Sequence, residues 1–353
     1  METKNICLLF SGGTIGMVTD PVSGALRPPR TPLDFEQSIP ELAHLPDHFP
    51  DERPRFAGYE FIANLDSTNV GPEHWQQIAE AVYQRLDRYD GFVITHGTDT
   101  MVYTATALSF MLRGLNKPIV FTGSQIPLAG HLITDARTNL LNAFRAAALD
   151  FSEVAILFGS RLLRATRAVK LSGFDFDAFT SFSVPPLGRV GIRLELNHCA
   201  LVKRPPDGGH VVLERDLNPN VVLLKIAPGV MPRVVDAIVD SGVDGLVIEA
   251  FGAGNIPNED AGERSLLASV ARATEIGVVV VICTQVHVGA AELIYVAGKD
   301  YLAAGALPGY DMTAEAALVK LMWLLGKYGN GRATIQQELV RSYAGEVTPP
   351  GAA

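Results

Sequence analysis

The chain has 353 residues, of which 48% are hydrophobic and 19% are charged, and its formal net charge at pH 7 is −9. This composition is typical of a globular protein with a large core in one large or two moderate domains, and it excludes a disordered chain. An acidic chain without a basic run is also a poor match for nucleic acid or for an anionic membrane surface, so neither is expected as a partner.

The cysteines and the N-terminus indicate a reducing compartment. The three cysteines, Cys7, Cys199 and Cys283, are odd in number and widely spaced, and no CxxC pair occurs. Cys7 and Cys283 lie in apolar runs, so we predict that these two are buried structural thiols rather than nucleophiles. The apolar run that begins at residue 6 ends before Ser11, which is too short for a signal-peptide core. No stretch approaches the length of a membrane span, and we therefore predict a cytoplasmic protein.

The first predicted element is a strand at 6–10 that leads into the turn Ser-Gly-Gly-Thr-Ile-Gly at 11–16. Glycines let the backbone turn sharply and approach a ligand closely, and they place Thr14 at the carboxyl end of the strand. The spacing is not that of a dinucleotide loop, and the lysine of a phosphate loop is absent. This stretch alone is equally compatible with a simple turn and with a functional threonine.

Two further segments follow before the centre of the chain. Residues 20–32 are rich in Pro, Gly and Arg and predict an irregular loop, either a lid or a surface connection. A second strand at 61–65 ends in the polar run Asp-Ser-Thr-Asn at 66–69, and Pro72 suits the first position of a helix. The apolar face of that helix consists of Trp75, Ile78, Ala79, Val82 and Leu86.

The most informative stretch is Thr-His-Gly-Thr-Asp-Thr at 95–100. A predicted strand at 91–94 precedes it and an apolar helix at 101–112 follows, so it lies where ligands bind in open α/β sheets. The first turn of that helix offers unpaired N–H groups suited to an oxyanion. An ordinary N-cap needs one polar residue, whereas several converge here, which favours function. His96 is compatible with a packed, hydrogen-bonded residue and with a base.

Strands and helices continue to alternate after this stretch. Predicted strands at 118–121 and 154–158 flank a helix at 135–148, which indicates a doubly wound, mainly parallel sheet. The segment 159–205 has short β-like runs and no clear helix, and Lys170 within it has by default the solvated position usual for lysine.

The alternation restarts after a predicted turn at 205–209. Strands are predicted at 221–225, 244–248 and 277–283, and helices at 231–240, 260–273 and 313–326. We therefore predict an α/β protein in which a larger N-terminal domain with the doubly wound sheet precedes a smaller C-terminal α/β domain. The predicted bounds are 1–205 for the first domain, 206–220 for a linker, 221–346 for the second domain and 347–353 for a frayed tail.

Small hydroxyls and a carboxylate follow four predicted strands of the first domain. They belong to Thr14, Ser67, Thr98 with Asp99, and Ser124, and the parallel order of the strands lets them face one crevice. No spacing of His, Cys and Asp indicates a metal. Such a cleft suits acyl transfer, in which a threonine attacks a carbonyl, a neighbour such as a neutral lysine takes its proton, and N–H groups hold the oxyanion. These residues alone do not name a substrate.

Two long motifs resemble the signatures of the bacterial L-asparaginases. Phe-Ser-Gly-Gly-Thr-Ile-Gly at 10–16 is similar to the first, and Thr-His-Gly-Thr-Asp-Thr-Met at 95–101 is similar to the second. The resemblance extends from about residue 5 to residue 330, because the stretches at 66–67, 122–128, 170, 251–257 and 311–316 follow in the order of the family. Ser-Gln-Ile-Pro-Leu at 124–128 and the missing signal peptide resemble the cytoplasmic, type I branch.

The resemblance implies a catalytic set. Thr14 would be the nucleophile that attacks the side-chain amide of asparagine, and Thr98 would be the second threonine, flanked by Lys170 and Asp99. The resemblance therefore implies that Lys170 is a catalytic residue rather than a solvated surface lysine. The products would be aspartate and ammonia, with no cofactor and no metal.

The resemblance also implies how the substrate is held. Asp99 would bind the α-ammonium, Ser67 with the backbone beside Asp66 would bind the α-carboxylate, and Ser124 would lie near the leaving nitrogen. The active sites of the family lie near a contact between subunits, so self-association as a dimer or tetramer is implied.

The chain departs from the family in the loop after the first threonine. The family has a tyrosine there that orients or activates this threonine, whereas this chain has Ala25, and Arg27 and Arg30 stand in the same loop. Loss of one member of a catalytic unit commonly costs orders of magnitude in rate. Three explanations follow: another residue fills the role, the loop selects another amide such as glutamine or a substituted, acidic asparagine, or the protein is a weakened enzyme or a sensor of amino acids.

A second departure concerns regulation. Some cytoplasmic members bind activating asparagine at a separate site through an arginine and a cysteine, and the corresponding positions here are Glu249 and Val286. We therefore do not expect that form of activation.

Overall fold

The computed structural model describes residues 2–20, 22–28, 31–129, 131–202, 210–258, 263–293 and 296–348. The chain divides between residues 215 and 216 into two compact units. The predicted turn at 205–209 lies outside the described residues.

Unit 1 is built from short strands and five described α-helices. Its strands are β1 (Lys4–Gly12), β2 (Val18–Thr19), β3 (Leu26–Arg27), β4 (Pro54–Leu65), β5 (Gly91–Thr95), β6 (Leu112–Arg113), β7 (Ile119–Thr122), β8 (Val154–Phe158), β9 (Arg161–Arg164), β10 (Val169–Lys170), β11 (Phe179–Thr180), β12 (Gly188–Val190), β13 (Leu194–Leu196) and β14 (Val212–Leu213). Its helices are α1 (Pro32–Ser38), α2 (Leu45–His48), α3 (Pro72–Tyr83), α4 (Met101–Met111) and α5 (Ala136–Ala147), and 3-10 turns occur at Thr14–Gly16, Pro40–His44, Ser67–Asn69 and Ala165–Arg167.

The main sheet of unit 1 has the strand order β13-β12-β9-β8-β7-β5-β1-β4. The five strands from β8 to β4 run parallel, and the remaining pairs are antiparallel. Ile6, Leu8 and Phe10 of β1 pack in one core with Leu140 and Phe144 of α5. The intervening side chains of β1 are buried as well, so both faces of the sheet are covered, as in doubly wound folds. The predicted fold class of this domain is confirmed.

Most predicted elements of unit 1 are confirmed, and the loop after the first strand is an exception. The segment 20–32 is not wholly irregular, because β3 within it pairs antiparallel with β2 and α1 begins at Pro32. The carboxylate of Asp20 accepts the N–H groups of Val22 and Ser23, which closes the hairpin turn. Two-residue strands are too short to give a periodic signal, which explains why the sequence pattern did not reveal them.

Unit 2 is a smaller α/β domain with a parallel sheet in the order β15-β16-β17-β18. The strands are β15 (Val221–Lys225), β16 (Gly245–Ala250), β17 (Val279–Thr284) and β18 (Leu307–Pro308), and the helices are α6 (Pro232–Asp240), α7 (Leu267–Glu275), α8 (Val296–Ala303), α9 (Ala314–Tyr328) and α10 (Arg332–Leu339). The helix predicted at 260–273 begins only at Leu267, after a turn at 263–264. Helix α10 was not predicted because only Ile335 and Leu339 of its eight residues are buried, which is too narrow an apolar face.

The predicted frayed tail is wrong for its first two residues. Val347 is buried, and Thr348 donates from its N and Oγ1 atoms to the carboxylate of Asp311, at 2.8 and 2.6 Å. The sequence of the tail gave no sign of this distant acceptor. Residues 349–353 lie outside the described part of the chain.

The two cysteines that were predicted to be structural lie in the interior. Cys7 and Cys283 are buried, as predicted, and burial raises the pKa of Cys7 to about 12 and also raises the pKa of Cys283. Both are therefore protonated and inert at neutral pH.

Among the helices of the described residues, none combines the length and the apolar character of a membrane span.

A fully buried ion pair fixes the C-terminal segment of unit 2. Lys320 Nζ of α9 lies 2.6 Å from Glu346 Oε1, and neither side chain is exposed. The ammonium also donates to the backbone carbonyls of Leu339 and Arg341, both at 2.7 Å. Glu346 accepts the backbone N–H groups of residues 343 and 344. Because both charges are fully hydrogen-bonded, removal of one partner leaves a buried charge uncompensated.

His96 joins β5 to α4. Its ring is 1% exposed, with Nδ1 2.7 Å from the carbonyl of Gly97 and Nε2 2.9 Å from Thr104 Oγ1. The carbonyl can only accept, so Nδ1 carries the proton and the Thr104 hydroxyl donates to Nε2. Burial lowers the pKa of His96 to about 4, so the ring is neutral at pH 7. Of the two interpretations that the sequence allowed, the packed, hydrogen-bonded residue fits this environment.

We expect Lys320→Met to lower the free energy of unfolding by about 3–5 kcal/mol, because Glu346 would remain buried without its partner. Urea denaturation measures the change. The matched control is Lys327→Met on the exposed part of the same helix, for which we expect less than about 1 kcal/mol. A Lys320→Met change no larger than that of the control would contradict the importance of this pair.

We expect the stability of the protein to fall as the pH drops from about 6.5 towards 4, in part because of His96. Its folded pKa is lowered from the ordinary value of 6.5 to about 4, so the unfolded chain binds a proton in this window that the folded one does not. The stabilisation is fully present above the upper limit and is lost towards the lower one, by about 3 kcal/mol. Urea denaturation at several pH values tests this, with His96→Gln expected to show a weaker pH dependence. An identical dependence in the exposed-site control His131→Gln and in His96→Gln would refute it.

Candidate active site

Glycines bring three loops of unit 1 into direct contact. Gly13 has a φ of +84°, and a Cβ atom there would lie 2.7 Å from the backbone N of Gly97. A Cβ atom at Gly97 would in turn lie 2.6 Å from Ser67 Oγ. The loops that carry Thr14, Thr98 and Ser67 therefore stack on one another at the carboxyl edge of the sheet, where ligands bind in such folds.

Lys170 connects Thr98 and Asp99. Its Nζ atom donates to Thr98 Oγ1 at 2.8 Å and lies 2.6 Å from Asp99 Oδ1. The lysine side chain is 24% exposed and the aspartate side chain 55%. The default expectation of a solvated surface cation is thus wrong for Lys170. This residue lies in β10, which pairs antiparallel with β11, and it reaches a carboxylate that is 71 positions away in sequence, a contact that no local pattern shows.

Thr14 begins the 3-10 turn after β1 and is exposed. Its hydroxyl donates to the backbone carbonyl of Ser124 at 3.3 Å. Ser124 is 5% exposed, and its own Oγ has no hydrogen-bond partner among the described residues. A buried hydroxyl without a partner is costly, and it leaves hydrogen-bonding capacity for a ligand beside Thr14.

Ser67 and Asp66 differ in what they offer. Ser67 is 3% exposed, its Oγ accepts the backbone N–H of Asp99 at 3.3 Å, and its carbonyl accepts the Thr100 hydroxyl at 2.6 Å. Asp66 is exposed, and its carboxylate accepts the N–H of Thr68 at the start of the 3-10 turn. The structure therefore places Ser67 against the loop of Asp99, whereas the Asp66 side chain serves as a local cap.

The loop that lacks the family tyrosine forms the hairpin of β2 and β3. Ala25 contributes only backbone groups, and its carbonyl accepts the N–H of Asp20. Arg27 is held by two carboxylates, with Nη2 2.5 Å from Asp34 Oδ1 and Nε 3.4 Å from Asp20 Oδ2. Arg30 lies outside the described residues. The guanidinium of Arg27 thus already has acidic partners within its own hairpin and α1.

Two residues that the sequence analysis did not single out hold the loop of Ser124. Asp135, the N-cap of α5, and Asn139 of α5 are both buried, and their side chains bond to backbone groups of residues 123, 125 and 126. Two polar residues four positions apart, which lie on one face at the start of the predicted helix, are the signal that could have revealed them. The described residues contain no group of three His, Cys, Asp or Glu side chains arranged to hold a metal ion.

Glu249 and Val286, which stand where the family resemblance implies an arginine and a cysteine of an activating site, lie in unit 2. The carboxylate of Glu249 is 3.7 Å from Lys225 Nζ, and Val286 is 46% exposed. An acidic side chain that already faces a lysine is a poor substitute for an arginine that would bind a carboxylate.

Comparisons with known proteins give a consistent result. The asparaginase N-terminal family model matches residues 5–201, and the glutaminase/asparaginase C-terminal domain model matches residues 220–339. The chain is 38% identical over 359 residues to L-asparaginase 1 of Escherichia coli, with 99% of each chain covered. It is 34% identical over 357 residues to a glutamyl-tRNA(Gln) amidotransferase polypeptide of Pyrococcus furiosus, with 99% of this chain and 78% of that protein covered.

The fold agrees with the sequence matches. The crystal structure of L-asparaginase I from Vibrio cholerae superposes with a TM-score of 0.83 at 35% identity, and the match covers 98% of this chain and 100% of that one. Two family models that together span most of the chain, and full-length relatives well above 30% identity, lead to one conclusion: this chain belongs to the asparaginase family.

Proposed function

We propose that the protein is an amidohydrolase that converts L-asparagine to L-aspartate and ammonia through a threonine nucleophile. Family membership and the likeness to L-asparaginase 1 support this activity. The single observation that carries it is the contact of Lys170 with both Thr98 and Asp99, beside the loop of Thr14. A protein that only binds an amino acid needs an ammonium and a carboxylate site, and it has no use for a lysine on a threonine hydroxyl.

The proposed binding of the substrate uses the groups that remain available. Asp99 is half exposed and uses Oδ1 for Lys170, so its other oxygen can accept the α-ammonium. The Ser67 hydroxyl accepts the N–H of Asp99, which leaves its proton for the α-carboxylate. The unpartnered Oγ of Ser124 can accept from the amide NH₂ of the side chain. Each contact satisfies a group that the free protein leaves incomplete.

The proposed chemistry has two balanced steps. Thr14 Oγ1 attacks the amide carbon, its proton passes through Thr98 and Lys170 to the amide nitrogen, and ammonia leaves as an ester forms on Thr14. Water then attacks the ester, which restores the threonine and releases aspartate. In its neutral form, Lys170 can accept the Thr98 proton while it keeps an N–H for Asp99. Protein groups and water suffice for both steps.

Alternative amides are less well supported. The hypothesis of an acidic substrate depended on arginines in the hairpin loop, but Arg27 is engaged by Asp20 and Asp34. Glutamine and larger amides are the alternative substrates for this fold, and one relative is named as part of an amidotransferase. We further propose that the protein acts in the cytoplasm on a small-molecule amide, and that it self-associates as a dimer or tetramer with the active site near the contact between protomers.

We expect Thr14→Ala and Thr98→Val each to lower kcat by at least about a thousandfold, since each removes a hydroxyl that acts as part of one unit. Ammonia release is measured with L-asparagine, and with L-glutamine and β-aspartyl amides beside it. The control is Thr68→Val, an exposed threonine of the neighbouring loop, which should retain activity. Near-full activity of either site variant would overturn its role, and release only from a larger or acidic amide would overturn the substrate.

We expect Lys170→Met to lower kcat strongly and to change the pH–rate profile, because it removes the proton acceptor for Thr98. The matched control is Lys117→Met, whose ammonium donates to the backbone carbonyls of Leu86 and Tyr89 in the same unit. That variant should lose stability but keep the wild-type pH–rate profile. An unaltered profile in Lys170→Met would contradict its role as a base.

A further inference from the structure

We propose that Asp135 is a positioning residue that fixes the turn 123–126 and, through the carbonyl of Ser124, the hydroxyl of Thr14. This inference rests on the proposed function, since it concerns how the nucleophile is oriented. Residue 25 is alanine, so the position where the family has its tyrosine offers no side-chain group to Thr14. The hydrogen-bond acceptor that the structure shows for the Thr14 hydroxyl is the Ser124 carbonyl.

Asp135 holds the turn with both oxygens of its carboxylate. Oδ2 accepts the backbone N–H of Gln125 at 2.9 Å, and Oδ1 accepts that of Ile126 at 3.1 Å. Oδ2 also accepts Asn139 Nδ2 at 3.1 Å. The side chain is 7% exposed, so these bonds are made away from water, where charge-assisted hydrogen bonds are strong.

Asn139 completes the hold one helical turn further along α5. Its Nδ2 donates to the carbonyl of Gly123 at 2.9 Å, and its Oδ1 accepts the N–H of Gly159 at 3.1 Å. The backbone on both sides of Ser124 is therefore bonded to buried side chains of one helix. The Ser124 carbonyl is the part of this turn that faces Thr14.

The turn is also linked to the segment that follows Lys170. Gln125 Nε2 donates to the carbonyls of Asp175, at 3.2 Å, and Ser172, at 3.4 Å. The turn 123–126 thus bonds to Thr14 through the carbonyl of Ser124, and to the segment just after Lys170 through the side chain of Gln125.

The Thr14 contact is sensitive to a displacement of the turn 123–126. A carbonyl can only accept, so before the reaction it holds the Thr14 hydroxyl in one orientation with its lone pairs free, and the proton leaves this acceptor for Thr98 as the oxygen attacks. The distance of 3.3 Å is already long for an O–H···O bond. A movement of about 1 Å would break it, and misplacements of this size can cost a hundredfold in rate.

The test is Asp135→Asn in the full chain. The amide has the shape of the carboxylate but one acceptor oxygen, so at least one of the N–H groups at 125 and 126 loses its partner and faces a donor. We expect kcat for asparagine to fall about a hundredfold. The stoichiometry and affinity of L-aspartate in calorimetric titration should change less than about twofold, since Ser67 and Asp99 are untouched and the product lacks the amide group that Ser124 is proposed to bind.

The matched control is Glu153→Gln. Glu153 is as buried as Asp135 and lies in the same unit, and it accepts the N–H of Val202 and pairs with Arg164 away from the turn. It should lose stability while kcat stays close to that of the wild type. Hydrogen exchange of the amides of residues 125 and 126 supplies a readout independent of activity: slow in the wild type and fast in Asp135→Asn.

The outcomes separate this inference from the proposed function. A wild-type kcat in Asp135→Asn, or exchange at 125 and 126 that the substitution does not accelerate, overturns the positioning role. If the wild type releases no ammonia from any amide, the proposed function fails, and the exchange experiment still decides whether Asp135 holds the turn. If Asp135→Asn does not fold, Asn139→Ala removes the bond to the carbonyl of Gly123, with the same expected fall in kcat, while the amides of 125 and 126 keep Asp135 as their acceptor and should still exchange slowly. A wild-type kcat in that variant would overturn the positioning of Thr14 by this turn.

Discussion

The close approach of glycine backbones is the constraint on which the candidate active site depends. A Cβ atom at Gly13, Gly97 or Gly123 would lie within 2.7 Å of a neighbouring loop, on Gly97 N, Ser67 Oγ and the His96 carbonyl, respectively. Any side chain at these positions would separate the ends of the parallel strands. With only hydrogen atoms there, the loops after β1, β4, β5 and β7 stack closely enough for short side chains to meet. This explains how a site can be assembled from threonines and serines, which reach only a few ångströms from the backbone.

The imidazole of His96, at the end of a central strand of the sheet, is electrically neutral. The central strands are buried on both faces, and the imidazole of His96 is kept neutral by its burial. The charges of the site belong to Lys170 and Asp99, which are partly exposed and face each other. A neutral imidazole adds no charge that would compete for the lysine. The ring is held in place, since Nδ1 is bonded to the carbonyl of Gly97 and Nε2 to the hydroxyl of Thr104 in α4.

The sequence predicts the elements whose signal is local and misses the contacts that are not. Continuous apolar runs followed by glycine and small polar residues identify the central strands, and thus the positions of Thr14 and Thr98. Nothing local shows that Lys170 lies on Thr98, because that contact depends on the path of β9 to β11 back across the site. Only the resemblance to a family indicated it. Asp135 likewise has the pattern of an ordinary helix start, and its bonds to the turn 123–126 become visible only in three dimensions.

The orientation of the Thr14 hydroxyl by a backbone group does not depend on a side chain at position 25. The Thr14 hydroxyl is directed by a carbonyl, which no substitution at Ser124 removes, and that carbonyl is held from α5 rather than from the loop of Ala25. The hairpin is stabilised separately, by Asp20 at its turn and by the ion pair of Arg27 with Asp34. The bonds named for the hairpin and those named for the turn 123–126 involve different residues. A change in the hairpin can therefore alter access to the site, while the direction of the Thr14 hydroxyl is set by the sheet and the helix behind it.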